Sequence, residues 1–74
     1  MNKFFWYTDK NRNHLIIGDF VRICKTGDIG KVIAMKQPRC MQILLVESAG
    51  TVICQNDDIE KLTKSEIMLY LMSN

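Results

Sequence analysis

A chain of 74 residues, 47% hydrophobic and 24% charged, is too short for a second domain or a deep enzyme cleft and too apolar for intrinsic disorder. The formal net charge is only +2, but residues 1–39 hold eight Lys and Arg against three Asp, and residues 40–74 hold two against five. That polarity can steer an anionic partner to one side, or can be the mixed solvated surface of a small domain.

Cys24, Cys40 and Cys54 are odd in number and widely spaced, a pattern of neither a disulfide framework nor a zinc site, and one that fits a reducing cytoplasm. The N-terminus is aromatic rather than a signal core. The longest apolar run, Ile67 to Met72, falls far short of the roughly 20 residues that span a bilayer. The expectation is a soluble, unprocessed, cytoplasmic protein of one domain, residues 1–74, with no membrane segment.

Along the chain, Phe4-Phe5-Trp6-Tyr7 opens an extension or hairpin over residues 1–16. Its aromatics have two readings. They can add a strand and turn to the core, or they can form a stacking platform for bases, with Trp6 and Tyr7 as candidates beside Lys and Arg. Phe20 to Cys24 alternates Val21 and Ile23 against Arg22, as a half-buried strand does. Gly18-Asp19 precedes it, and Lys25-Thr26-Gly27-Asp28 follows as a turn in which Gly27 can take positive φ. Gly30 then opens a second run, Lys31 to Met35, where a glycine signals a bulge or a close backbone approach. Gln37-Pro38-Arg39 breaks the pattern. Met41 to Glu47 and Thr51 to Cys54 are a third and fourth strand around the turn Ser48-Ala49-Gly50. Asn56-Asp57-Asp58 is turn chemistry, after which Ile59 and Leu62 cap the core through a helical turn or a fifth strand. Short strands at this spacing predict a mainly β fold, a small barrel of about five strands over residues 17–62.

The pattern G-D-x-V-x-I, a loop, G-x-x-G-x-V, and later D-D-I-E-K-L resembles the Src-homology-3-like small barrels. It is carried by Gly18, Asp19, Val21, Ile23, Gly27, Gly30 and Val32, then Asp57, Asp58, Ile59 and Leu62. The front half is similar to the KOW motif of ribosomal proteins and transcription elongation factors, and Tudor-like barrels share the grammar. The chain departs from that pattern in having no basic cluster after Lys31 and a very apolar third strand. The resemblance implies a binding module for RNA, a ribosome or an RNA polymerase. With the basic front half, it makes Arg22, Lys25, Lys31, Lys36 and Arg39 the candidate nucleic-acid contacts.

Thr63-Lys64-Ser65-Glu66 is a capping box, so residues 63–74 predict a short C-terminal helix. Ile67 to Met72 is apolar almost all round, more than one buried stripe needs. One face then packs on the barrel, and Leu69, Tyr70 and Met72 become candidates for a homodimer seam or a protein partner, with Met68 and Met72 adaptable. Nothing in the sequence assembles a catalytic constellation. His14 is the lone histidine and reads as structural, and Asp57-Asp58-Ile59-Glu60 lacks the spacing of a calcium loop and the histidines of a transition-metal site. The cysteines read as small buried hydrophobes. The expectation is a binding module without enzymatic activity, cofactor or metal. It binds nucleic acid or a nucleic-acid machine, or else acts as a regulator that docks one protein through the barrel edge or the helix.

Overall fold

The computed structural model of the chain describes residues 7–36 and 39–72. Five antiparallel strands form one sheet: β1 (Phe20–Ile23), β2 (Ile29–Met35), β3 (Cys40–Leu45), β4 (Thr51–Gln55) and β5 (Ile59–Lys61), in the order β4-β3-β2-β1-β5. A 3-10 turn, Asn56–Asp58, joins β4 to β5, and one helix, α1 (Lys64–Met72), follows. The two edge strands of a flat five-stranded sheet would lie roughly 19 Å apart. Here three residues carry the chain from one edge to the other, a reach of at most about 14 Å. The sheet must therefore curl, and its inner face closes over one core of Val21, Ile23, Val32, Met41, Ile43, Cys54 and Ile59. This is the small β barrel with a C-terminal helix that the strand spacing predicts.

Alternation sets the core from each strand in turn. Val21 and Ile23 are buried while Arg22 faces out, and Met41 and Ile43 are buried from β3 at 0% exposure. Ile59 belongs to this core, and Leu62 is buried as well but outside that cluster. Of the cysteines only Cys54 is buried; Cys24 is exposed and Cys40 lies between. The expectation of buried cysteines fails at Cys24 because it follows inward-facing Ile23, so the period-two alternation puts it on the outward side with Arg22, at the start of the β1–β2 turn.

The glycines have distinct tasks. Gly27 takes φ +78 in the β1–β2 turn, where its N–H bonds to the Ile23 carbonyl at 2.7 Å. Gly30 lies inside β2 in regular register, opposite Val21 on one side and Leu45 on the other. The bulge lies further on, between Val32 and Ala34. What requires glycine at position 30 is the close approach: a Cβ there would collide with Cγ2 of Ile43 and sit 3.0 Å from the Leu44 carbonyl oxygen. In the β3–β4 turn the left-handed residue is Ala49, at φ 61, rather than Gly50; the Gly50 N–H bonds instead to Oγ of Ser48.

The capping box forms as its sequence dictates. The Thr63 N–H donates to Oε1 of Glu66 at 2.9 Å and the Glu66 N–H to Oγ1 of Thr63 at 3.1 Å. These bonds lower the Glu66 pKa, with Arg22 assisting. The helix then crosses the outside of the sheet on a narrow contact. Glu66 pairs with Arg22 at 3.7 Å, and the Tyr70 hydroxyl bonds to Oε1 of Glu47 at 3.4 Å. No helical residue is buried. Met68, Leu69, Leu71 and Met72 remain 60–76% exposed.

Gly30→Val is expected to lower stability by about 3 kcal/mol through overpacking, whereas the exposed neighbour change Lys31→Ala should stay within about 0.5 kcal/mol. Chemical denaturation of both variants checks this; equal midpoints would refute the close-packing role of Gly30.

Candidate nucleic-acid interface

The N-terminal segment Tyr7 to Leu15 folds back on itself through a bridge between Thr8 and His14, and it docks by burying Leu15 and packing Tyr7 on the core. Asp9 organises this turn. Asp and Asn favour such turns because a short side chain can bond the backbone two residues on. Here Oδ1 of Asp9 accepts the Asn11 and Asn13 N–H groups, both at 2.8 Å. Oδ2 accepts the Asn13 side-chain amide at 3.2 Å and the Lys61 N–H of β5 at 2.7 Å. The residue is only 1% exposed. Burial alone pushes its pKa up, but the bonds from Lys61, Asn13 and Asn11 outweigh burial and hold it below the ordinary value of 3.8.

That turn forms one wall of a polar cleft of about 670 Å³. Lys10 and Arg12 line it from the turn, and Arg39, Gln55, Asn56 and Asp57 from the start of β3 and the end of β4. Main-chain bonds fix both walls: the Lys10 N–H to the Ile59 carbonyl at 3.0 Å, and the Asn56 N–H to the Arg39 carbonyl at 2.8 Å. The rim carries Lys10, Arg12 and Arg39 against the exposed carboxylate of Asp57, and the buried carboxylate of Asp9 also lines the cleft. Arg12 and Arg39 share an uncommon backbone, φ 65 and φ 68.

The residues singled out in the sequence separate into groups. Arg39 stands on the cleft. Lys36 is exposed near it, its carbonyl accepting the Tyr7 hydroxyl at 3.4 Å, which places one stacking candidate by this rim. Trp6 lies outside the described residues. Lys25 is exposed in the β1–β2 turn at the far end of the 3-10 turn, where the Cys24 N–H bonds to the Asp58 carbonyl. Lys31 is exposed in β2, opposite Phe20 and Leu44. Arg22 is engaged internally, 3.3 Å from Glu60 and 3.7 Å from Glu66. On the helix, Leu69 and Met72 face solvent while Tyr70 faces Glu47. Lys10, Arg12 and the buried carboxylate of Asp9 were not singled out. The signal present is the run of turn formers Asp9, Asn11 and Asn13.

Burial raises the Cys54 pKa, Asp58 raises it further and Lys25 partly offsets this, so the thiol stays protonated and poorly nucleophilic. No group of three or more potential metal ligands occurs among the described residues, and no helix among them is long and apolar enough to cross a membrane. No family model, curated protein or solved structure matches the chain.

Asp9→Asn replaces one accepting oxygen with an amide that faces donors, so a loss of about 2 kcal/mol is expected at neutral pH. A lowered folded-state pKa means that the carboxylate stabilises the fold above the unfolded value, and that this contribution is lost as pH falls through the folded value. Wild type and variant should therefore converge in acid. Equal midpoints at neutral pH would contradict the role given to Asp9.

Proposed function

We propose that the protein is a non-enzymatic binding module of the reducing cytoplasm that associates with nucleic acid, or with a ribonucleoprotein or polymerase complex, through its exposed cations. One observation carries this reading. Exposed bases outnumber exposed acids: Asp19, Glu60 and Glu66 join the three ion pairs among the described residues and Asp9 is buried, which leaves Asp28, Glu47 and Asp57 as the exposed acids outside those pairs. Only Arg22 and Lys61 are consumed in return. Lys10, Arg12, Lys25, Lys31, Lys36 and Arg39 are exposed and outside any of these pairs. Such a surface attracts phosphates and gains from counterion release. The resemblance of Gly18 to Val32 to KOW-type barrels supports the same reading, and the three unpaired cysteines support the compartment.

A second reading rests on a separate observation. Met68, Leu69, Leu71 and Met72 together present an exposed apolar helix face, the kind of surface that takes a protein partner or a second copy of the chain.

Binding to a labelled mixed-sequence single-stranded RNA should weaken with salt by about 0.7 log units per log unit of salt for each neutralised phosphate. The triple variant Lys25→Ala, Lys31→Ala, Lys36→Ala should flatten that slope by about 2. Absence of binding in low salt would remove the nucleic-acid reading and leave the helix face, which sedimentation of the wild type against Leu69→Glu, Met72→Lys then tests.

A further inference from the structure

Arg12 and Arg39 hold left-handed backbone conformations, φ 65 and φ 68, in which a Cβ crowds the neighbouring carbonyl and glycine is the favoured residue. Neither turn is closed by its arginine side chain: main-chain bonds and the Asp9 carboxylate close the first, and main-chain bonds the second. The Arg12 N–H donates to the Asp9 carbonyl at 3.0 Å, and the Arg39 carbonyl accepts the Asn56 N–H at 2.8 Å. Neither guanidinium bonds to another described residue, and both arginines are exposed. The fold thus draws no side-chain hydrogen bond or ion pair from either arginine. Yet the two arginines line one cleft, reaching it from segments separated in sequence by all of β1 and β2.

We infer that this cleft holds the phosphate of one nucleotide unit in a single-stranded nucleic acid, with Arg12 and Arg39 gripping it from the two walls. The inference rests on the nucleic-acid reading above and assigns it a centre. Arginine suits this task because its planar fork of donors matches phosphate oxygens. A volume of about 670 Å³ falls in the range of sites that enclose a small ligand. A concave site of that size admits one unit of a flexible strand, whereas the phosphates of a duplex sit on a stiff outer surface. Thr8, Gln55 and Asn56 supply polar edges for the sugar or base, and Lys10 adds charge at the rim. Two carboxylates also line the cleft, Asp57 exposed and Asp9 buried, which favours a single phosphate held on the arginine side over a dense polyanion.

The backbone supplies an unusually clean test, since glycine at both positions removes the side chains and suits the local conformation. The full-length double variant Arg12→Gly, Arg39→Gly should keep a denaturation midpoint at or above that of the wild type. It should bind a short labelled single-stranded RNA at least about tenfold more weakly, with a salt slope flatter by about 0.7 for the one phosphate no longer neutralised. Arg12→Lys, Arg39→Lys should retain part of the affinity. Wild-type affinity in the glycine variant, with loss in the Lys25, Lys31, Lys36 triple variant, would overturn the cleft assignment while the nucleic-acid reading stands. A duplex bound as tightly as the single strand would overturn the single-strand assignment. A lowered midpoint in the glycine variant would show the arginines to be structural and overturn the inference. If the wild type binds no oligonucleotide in low salt, the broader reading falls. Adenosine 5′-monophosphate then decides the cleft: binding lost in the glycine variant keeps its phosphate role, and no binding ends it.

Discussion

Asp9 receives four hydrogen bonds, from the main chains of Asn11, Asn13 and Lys61 and from the Asn13 side chain, and they tie the turn from Tyr7 to Leu15 to the sheet. A buried carboxylate is costly unless its lone pairs are occupied. Here they are occupied by neighbouring donors and by one, Lys61, that lies 52 residues away in sequence. The bond to Lys61 fastens the N-terminal turn to the edge strand β5, and the neighbouring Lys10 N–H bonds to the Ile59 carbonyl of the same strand. Leu15 can then reach the core, which a domain of this size needs, since it buries only about 60% of its unfolded surface.

The same carboxylate shapes the electrostatics. Its turn puts Lys10 and Arg12 at the lip of the cleft and sets Arg12 in its left-handed conformation through the bond to the Asp9 carbonyl. At 1% exposure its own oxygens are occupied by backbone and amide donors, so its negative charge offsets part of theirs without pairing with either side chain. Other acids are engaged in a similar way. Asp19 accepts the Ile16 N–H and pairs with Lys61, and Glu60 and Glu66 share Arg22. A chain whose formal charge is only +2 thus presents a surface more basic than its composition indicates.

What the sequence made legible was local. Val21 and Ile23 declare a strand by alternation, Gly27 declares a turn, and Thr63 with Glu66 declares a helix start, because the partners lie within a few residues of one another. The five-stranded barrel follows from the spacing of such signals. The contacts that shape the cleft are of another kind. The engagement of Arg22 depends on Glu60, which becomes its neighbour only when β5 pairs with β1. The need for glycine at position 30 depends on Ile43 and Leu44 across the sheet. Asp9 looks like an ordinary turn residue until the Lys61 N–H is brought to it. Arg39 was legible as a cation in a loop, but its meeting with Arg12 is a product of the fold. The apolar helix was legible as excess hydrophobicity, and its narrow contact through Glu66 and Tyr70 was not.

The carboxyl of Asp9 is therefore the group to observe directly, by recording the NMR shift of its side-chain carboxyl carbon as a function of pH in the folded protein. The account predicts a titration midpoint below the ordinary Asp value of 3.8, with the Lys61 amide resonance moving in the same step as its bond to Oδ2 is lost. A midpoint at or above that value, or a Lys61 amide indifferent to the titration, would contradict it, because burial would then be uncompensated and the N-terminal turn would not be held to β5 by this carboxylate.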